Sequence, residues 1–522
     1  MKKAALISVS DRSGLEKFAK TLLECGYELL TTSGSGKFLK ECGISSTAIE
    51  EYTGQKEILG GRVKTLHPKI HGGLLAKRSD PEHLQQLEEG GIPQIEVAVV
   101  NLYPFAGGLT GEKAADPDKM VELIDIGGPT MIRAAAKNHQ SVWAVIDPKD
   151  YEAVGEFLKK REQDSAAALQ FRRSLAVKVF TQLAQYNLEI ARYFAQIKNE
   201  PYTPEWSVGQ DVTGMVLTKT QDLRYGENPH QKGAFYSVLG AADSGWKQFQ
   251  GKELSYNNLI DFDAAYRIVR SLPSDQPAVT IVKHLNPCGA ACGKNLIDAL
   301  TRARAGDPRS HFGGIIAFNR TVDKVTAEAV IDDFTEIVVA PHFEVEALEA
   351  FTKRKNLRVL QIDFDKVSRT EFRSVQGGVL VQEVDYGVHA ISAEDIVCGE
   401  KLSEKVMADL RFAWSLCAYI KSNAISIVKD LMLIGTGGGQ MSRIDAAEVA
   451  LWKARTHGHD LKGAVAASDA FFPFTDCVDV LAEAGICAIV VPAGAKRDAE
   501  VLEKAKERGI SLIFAHERHF RH

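Results

Sequence analysis

The stretch Ala278-Val-Thr-Ile-Val-Lys-His-Leu285 returns later in the chain as Ala424-Ile-Ser-Ile-Val-Lys-Asp-Leu431. Each reads as a buried apolar strand with a charged end. Two more pairs follow in the same order. Gly314-Ile-Ile-Ala-Phe318 has a counterpart in Gly463-Ala-Val-Ala-Ala467, and Ile337-Val-Val339 has one in Ile489-Val-Val491. The offsets are 146, 149 and 152 residues. Single apolar strands match easily by chance, but three ordered pairs at nearly one offset predict two similar α/β lobes. One lobe carries Lys283-His284 at its strand end, and the other carries Lys429-Asp430. Ligands of α/β sheets bind beyond the carboxyl ends of strands. A Lys-His pair there can supply a base near neutral pH with a proton donor beside it.

Upstream, strand and helix signals alternate. Ala4–Val9 is a short buried strand, and Ser10 or Asp11 can cap the helix after it, where Leu15, Phe18, Ala19, Leu22 and Leu23 recur at helical spacing. Gly26 ends that helix; Tyr27–Thr31, Val97–Leu102 and Val142–Ile146 are further strands. Such alternation predicts a parallel α/β sheet. Residues 149–197 read as helical, with Leu175, Val179, Leu183, Tyr186, Ile190 and Phe194 on one face. Asn199-Glu-Pro-Tyr-Thr-Pro-Glu205 is a proline-punctuated linker. The expected domains are therefore 1–198 and 199–522, the second divided into lobes of roughly 210–375 and 376–522.

The chain has 522 residues, 45% hydrophobic and 25% charged, with a formal net charge of −5. That is ordinary globular composition, and it gives no bulk electrostatic reason to bind nucleic acid or anionic membrane. The run Ala4–Val9 is too short for a secretory segment, and no stretch reaches the roughly 18 apolar residues of a membrane span. Eight scattered cysteines read as reduced thiols. A cytoplasmic protein is expected.

Several motifs invite chemistry. Thr32-Ser-Gly-Ser-Gly-Lys37 has Thr31 and Phe38 where a Walker A loop needs Gly and Ser or Thr. Its small residues can still offer backbone N–H groups to a phosphate, and an ordinary strand–helix turn fits as well. Arg62, Lys64 and Thr65 in Gly60-Gly-Arg-Val-Lys-Thr65 can face one anion together, or form a solvated basic loop. His67 and His71 have Pro68 between them and no evident third ligand, which argues against zinc. Asp125-Ile-Gly-Gly-Pro129 reads as a glycine turn opening a helix, with Arg133 and Lys137 on one solvated face. Pro287-Cys288-x3-Cys292 misses the zinc-deaminase spacing by one, and no H-x-E stands just upstream. Gly435-Thr-Gly-Gly-Gly-Gln440 is not a dinucleotide fingerprint. The tail His516, His519 and His522 suits a metal or a packed terminus, and Phe471-Phe-Pro-Phe474 suits core or a sandwich for a flat ring.

Together the motifs resemble the family of bifunctional purine-biosynthesis proteins that combine phosphoribosylaminoimidazolecarboxamide (AICAR) formyltransferase with IMP cyclohydrolase. The ordered set is SVSDRSG (8–14), GGRVKTLHP (60–68), NLYPF (101–105), IDIGG (124–128), RAAAKNH (133–139), LRYGENPHQ (223–231), VKHLNPCG (282–289), SDAFFPF (468–474) and RHFRH (518–522). The resemblance implies a methylglyoxal-synthase-like N-terminal domain and a transferase domain of two cytidine-deaminase-like lobes. It implies formyl transfer from 10-formyltetrahydrofolate to AICAR, then closure of formyl-AICAR (FAICAR) to IMP with loss of water. It also implies a homodimer with transferase sites at the subunit interface, and no metal or tightly bound cofactor.

By the same resemblance, His284 is the base of formyl transfer, with Lys283 assisting and Asn423 near the formyl group. Arg224, Tyr225, Gly313, Glu336, Arg443, Phe471 and Arg518 fall on nucleotide-binding positions, and Ile444, Asp476, Ala495 and Lys496 on folate-side positions. For ring closure, Lys137 matches the proton donor and acceptor, with Asp125, Tyr103 and Lys64 around the reacting amide. Ser10, Asp11, Arg12, Thr32, Ser33, Gly34, Ser35, Arg62, Thr65 and Asn101 would hold the phosphoribosyl end. The 32–35 turn departs from the commoner Gly-Gly-Thr core, Glu336 stands where some relatives carry Asp, and His311 is unusual. A deaminase-like hydrolase would need metal ligands that the sequence does not offer. A nucleotide-sensing module would not need Lys283-His284 or Lys137.

Overall fold

The computed structural model describes residues 2–109, 116–162, 165–196, 214–239, 245–366, 368–386 and 391–522; the expected linker 199–205 lies outside the described residues. The chain forms two compact units, Met1–Leu217 with Val238–Gly240, and Thr218–Ser237 with Ala241–His522. The units part at Leu217/Thr218, beyond the proline-rich stretch from which a boundary near 198 is read.

In the first unit, strands β1 (Lys3–Ser8), β2 (Glu28–Thr31), β3 (Thr47–Ala48), β4 (Gln94–Val100) and β5 (Trp143–Val145) form a parallel sheet in the order β3-β2-β1-β4-β5. Both faces of β1 are covered, so its sequence shows no polar alternation. Ala4 and Leu6 enter one core with Met131, Ile132 and Ala135. Ala5 and Ile7 enter another with Leu15, Phe18 and Leu22. This is the two-residue period of a strand. The strand order reverses beside β1, and that opens a crevice beyond the carboxyl ends of β1 and β4. The helical stretch expected over 149–197 is two helices, Tyr151–Lys160 and Ala166–Gln196. Arg161, at φ 55, ends the first in a left-handed turn.

A two-stranded ribbon, β6 (Leu217–Leu223) and β7 (Gly233–Val238), belongs to the second unit except for Leu217 and Val238. Among the described residues the main sheet of the second unit has twelve strands. The first lobe supplies β8 (Trp246–Gln250), β9 (Ala278–Lys283), β10 (Asn286–Cys292), β11 (Ile315–Phe318), β12 (Ile337–Ala340) and β13 (Arg358–Ile362). A separate antiparallel ribbon follows, β14 (Thr370–Val375) with β15 (Gly378–Glu383). The second lobe supplies β16 (Ile396–Cys398), β17 (Ile425–Lys429), β18 (Met432–Gly437), β19 (Val465–Ser468), β20 (Ala488–Pro492) and β21 (Ser511–Ala515).

From the centre outward the order is β10-β9-β11-β12-β13-β8 on one side and β18-β17-β19-β20-β21-β16 on the other. The halves repeat strand for strand. They meet where β10 and β18 pair antiparallel, Ala291 opposite Met432. Each lobe also lays a helix against its central hairpin. Ser255 opens Tyr256–Ser271 with a capping box, and Ser403 caps Glu404–Cys417. Phe262 and Tyr266 of one helix and Phe412 and Trp414 of the other share a single core with Val282 and Val428. Among the described residues no helix is long and apolar enough to cross a membrane.

Candidate active sites

In the first unit the ends of β1, β2 and β4 are tied together. Asn101 Oδ1 accepts the Ser10 N–H at 2.6 Å, the Ser10 hydroxyl at 2.9 Å and the Asp11 N–H at 3.0 Å. Its Nδ2 donates to the Asp11 carbonyl at 3.1 Å. The Val9 N–H donates to Ser35 Oγ at 3.0 Å, and the Thr32 hydroxyl donates to Ser8 Oγ at 3.2 Å. A helix starts within the small-residue turn, at Ser33–Glu41, with Thr32 as its N-cap and no side-chain cap bond. Its first N–H groups and the positive end of its dipole suit an anion. Arg12 stacks over Phe38 at 5.4 Å, beside the same turn.

The 62–65 loop packs on the 122–128 turn. Arg62 pairs with Glu122. Lys64 lies 2.6 Å from Glu57 and 3.5 Å from Glu50. A Cβ on Gly127 would stand 2.5 Å from Thr65 Oγ1, so this approach needs glycine. Asp125 Oδ1 accepts the Gly128 N–H at 2.9 Å, and the Asp125 N–H donates to the Tyr186 hydroxyl at 2.7 Å. Burial pushes the Asp125 carboxyl up from its ordinary value, and the N–H groups of Gly128, Tyr103 and Gly127 hold it back. A carboxyl raised in this way accepts a proton more readily than an ordinary carboxylate. Tyr103 is exposed beside it.

Lys137 is different. It is exposed at the far end of the helix Gly127–Lys137. At 1.5 Å rise per residue the helix puts about 15 Å between its two ends. One chain therefore does not bring its own Lys137 to Asp125. Pro68, which stands between His67 and His71, does not break a helix here: His67 is the N-cap of Pro68–Leu75, its Nδ1 accepting the Lys69 N–H at 3.2 Å. Proline at the first helical position starts the helix rather than breaking it.

In the second unit the residue pairing of the main sheet gathers the candidates at one end. β9 ends at Lys283 and β10 begins at Asn286, so His284 and Leu285 are a two-residue hairpin loop. Both have positive φ, 53° and 68°. Such a loop normally takes Asn or Gly, and each non-glycine residue in that region costs about 1–2 kcal/mol. The conformation leaves the His284 imidazole exposed beyond the sheet. Lys283 Nζ donates to the Phe312 carbonyl at 2.8 Å, next to Gly313. Ile315, opposite Val282, and Ile337, opposite Ile315, set Gly313 and Glu336 at this same end. Glu336 accepts from buried Arg358 at 2.7 Å.

The second lobe closes in from the other side. Asn286 Nδ2 donates to the His284 carbonyl at 2.8 Å, and Asn286 Oδ1 accepts the Lys421 N–H at 3.0 Å. Two residues on, Asn423 Nδ2 donates to the Gln440 carbonyl at 2.9 Å. Because Ile425 pairs with Ser468, Asn423 lies where β19 runs out into Asp469, Phe471 and Asp476. Arg443 is buried against Asp469, which also accepts the Ala424 N–H at 3.0 Å and the Ser422 hydroxyl. β20 and β21 run parallel to β19, so Ala495, Lys496 and Arg518 follow strands that end on this side. Ile444 is beside Arg443 at the start of Arg443–Thr456, Lys496 is exposed, and Arg518 stacks over Phe520 at 4.7 Å. Arg224 and Tyr225 follow β6, whose Leu223 lines a cavity of about 390 Å³ together with Leu285 and Lys421.

Four residues of this region escaped sequence reading: Asp261, Asn286, Lys421 and Asp469. Asp261 Oδ1 accepts the Leu285 N–H at 2.8 Å. Burial lowers the Lys421 ammonium from its ordinary value, and the charges of Arg521 and Arg373 add to that. The repeat offset was the available signal for Asp261, because Asp409 stands in the matching helix.

A family model described as the AICARFT/IMPCHase bienzyme matches residues 135–453, and one described as an MGS-like domain matches residues 14–130. A solved structure titled as that of ForH is 35% identical over 37% of this chain and 98% of its own, with a TM-score of 0.33. A diaminohydroxyphosphoribosylaminopyrimidine deaminase/5-amino-6-(5-phosphoribosylamino)uracil reductase from Thermotoga maritima is 25% identical over 20% of this chain and 33% of its own, with a TM-score of 0.15.

Proposed function

Since the chain belongs to the AICARFT/IMPCHase bienzyme family, we propose that its two reactions divide between the two sites above, formyl transfer around His284 and ring closure around Asp125. The enzyme is bifunctional in purine biosynthesis: it is an AICAR formyltransferase with a folate co-substrate, and an IMP cyclohydrolase. The formyl donor we assign is 10-formyltetrahydrofolate.

In the transfer step the AICAR amine attacks the formyl carbon. Its lone pair is drawn into the imidazole and carboxamide, so attack needs proton removal. His284 takes that proton. The new N–C bond forms, the bond from the formyl carbon to folate N10 breaks, and N10 leaves protonated. Lys283 donates that proton or stabilises the oxyanion. Asn423 stands by the formyl oxygen, Arg224, Tyr225, Gly313, Glu336, Arg443, Phe471 and Arg518 hold the nucleotide, and Ile444, Asp476, Ala495 and Lys496 face the folate. A placed acid–base group contributes about 10²–10⁴-fold, and holding two large substrates together supplies much of the rest.

In the closure step the carboxamide nitrogen attacks the formyl carbon of FAICAR, the formyl oxygen leaves as water with one proton from the carboxamide nitrogen and one from the formamide nitrogen, and a C=N bond forms at the former formyl carbon. Asp125 exchanges the proton, with Tyr103 and Lys64 beside it. Ser10, Asp11, Arg12, Asn101, the 32–35 turn, Arg62 and Thr65 hold the phosphoribosyl end. Lys137 serves this site from a second copy of the chain, because in its own copy the length of the helix Gly127–Lys137 lies between it and the Asp125 turn. A homodimer follows from that assignment. The apolar tip of the β14–β15 ribbon, where Val379 and Leu380 are each 58% exposed, fits burial against a second copy.

The observation that carries the transfer assignment is the Asn286 bridge, which joins the His284 turn to the Lys421–Asn423 segment. The test supplies His284→Ala with FAICAR and with AICAR plus 10-formyltetrahydrofolate in separate reactions. IMP from FAICAR without tetrahydrofolate from AICAR is expected. Loss of both activities in folded protein contradicts the division.

A further inference from the structure

Both lobes build the same unusual hairpin. His284-Leu285 in one and Asp430-Leu431 in the other are two-residue loops with four positive φ values, 53°, 68°, 53° and 54°. None of these residues is glycine, so the loop sequence alone does not favour the conformation. Each loop is held from below by a carboxylate on the helix that packs under it. In the first lobe Asp261, on Tyr256–Ser271, accepts the Leu285 N–H at 2.8 Å. In the second, Asp409, on Glu404–Cys417, accepts the Asp430 N–H at 2.9 Å and the Leu431 N–H at 2.5 Å. Mid-helix aspartates are poor helix formers, and here both are turned to a neighbouring backbone.

We propose that Asp261 is a positioning residue for formyl transfer: it fixes the His284-Leu285 loop in its left-handed conformation and so aims the imidazole at the amine. The proposal rests on His284 being the base. Burial raises the Asp261 carboxyl from its ordinary value, and the Leu285 N–H, the His284 charge and the His284 N–H each pull it back. The carboxylate is thus held by the loop as the loop is held by it.

The second lobe shows the same scaffold without the chemistry. Lys429 Nζ is bound by Asp460 Oδ2 at 2.7 Å and by the Lys462 carbonyl at 2.8 Å, and Asp430 is paired with Lys405. Arg302 donates to the Asp430 carbonyl. The pairing of β10 with β18 is antiparallel, so this turn faces the opposite end of the sheet from His284. Asp409 therefore gives a matched control: the same contact, in the same protein, holding a loop with no assigned role in transfer.

The experiment compares Asp261→Ala, Asp261→Asn, Asp409→Asn and His284→Ala in the full chain, measuring kcat and KM for transfer and IMP formation from supplied FAICAR. A misplaced catalytic group costs about 10²-fold, so Asp261→Ala should lose roughly that in kcat with KM within about twofold. Asp261→Asn keeps one acceptor oxygen and should recover part of the loss. Asp409→Asn should transfer formyl at the parental kcat, and all four should cyclise FAICAR normally. Parental kcat in Asp261→Ala overturns the proposal, as does an equal loss in Asp409→Asn. If Asp261→Ala does not fold, parental kcat in Asp261→Asn overturns it. His284→Ala that still transfers formyl overturns the base assignment itself, whereas inactive His284→Ala beside fully active Asp261 variants overturns the positioning role alone.

Discussion

Arg443→Ala removes a guanidinium from a place where little water can replace it. Arg443 is 7% exposed, and its partner Asp469 is 0% exposed. Asp469 keeps the Ala424 N–H at 3.0 Å and the Ser422 hydroxyl, which bracket Asn423, but loses its counter-charge. Breaking a buried pair from one side costs about 3–5 kcal/mol, because the remaining charge is left uncompensated. At about 2–4 °C per kcal/mol for a large domain, the transition of the second unit should fall by roughly 6–20 °C. Calorimetry or urea unfolding followed through buried Trp414 reads this. The double variant Arg443→Ala with Asp469→Ala removes both charges and should cost less than the two single changes summed. A single variant within about 1 kcal/mol of the parent refutes the reasoning. So does a double variant as poor as the sum. If Arg443 did nothing but hold nucleotide, KM for AICAR would rise with no change in unfolding.

Three further outcomes are expected. Asp125 carries a carboxyl raised by burial; a raised group stabilises the fold below its unfolded pKa and loses that contribution as pH rises through the folded pKa. Asp125→Asn should therefore lose cyclisation by at least about 10²-fold while unfolding no earlier than the parent at neutral pH, an advantage that fades in acid; earlier unfolding contradicts this. Asp307 bridges the lobes through Lys453 at 3.1 Å and His457 at 3.2 Å. Burial alone would raise it, but bonds from Ser310 and Lys453 hold it down at about 2. That lowered value should supply about 2 kcal/mol above the ordinary carboxylate range, lost as pH falls towards 2, and Asp307→Asn should flatten the acid limb of the stability curve. Finally, mixing Asp125→Asn with Lys137→Ala should restore about a quarter of parental cyclisation, since half of the dimers of a two-fold assembly are mixed and each has one intact site. No recovery after subunit exchange overturns the assignment of Lys137 to the site of a second copy.

The lobes were legible because buried strands leave uninterrupted apolar runs, and Ala278–Leu285 and Ala424–Leu431 are β9 and β17 with their loops. The two-residue β3 and the edge strands β8 and β16 left no such pattern. Sequence placed His284 at a strand end, but its left-handed loop was hidden, since neither His nor Leu announces positive φ as Asn-Gly does. Asp261 and Asp409 were easily passed over for a related reason: a helical aspartate normally reads as a solvated face, and only the repeat offset sets the two apart. Asp125 and Lys137 sat close in sequence and in the resemblance, yet a rigid helix holds them apart. Their three-dimensional spacing is what asks for a second copy at the closure site, where the resemblance places subunit sharing only at the transferase site.

The central claim is that transfer and closure belong to different residues on different units. It is tested most directly by following tetrahydrofolate and IMP in His284→Ala and Asp125→Asn side by side. His284→Ala should release no tetrahydrofolate from AICAR and 10-formyltetrahydrofolate yet convert FAICAR to IMP at the parental rate. Asp125→Asn should release tetrahydrofolate normally and accumulate FAICAR. Either folded variant losing both activities, or keeping the one assigned to its residue, contradicts the account.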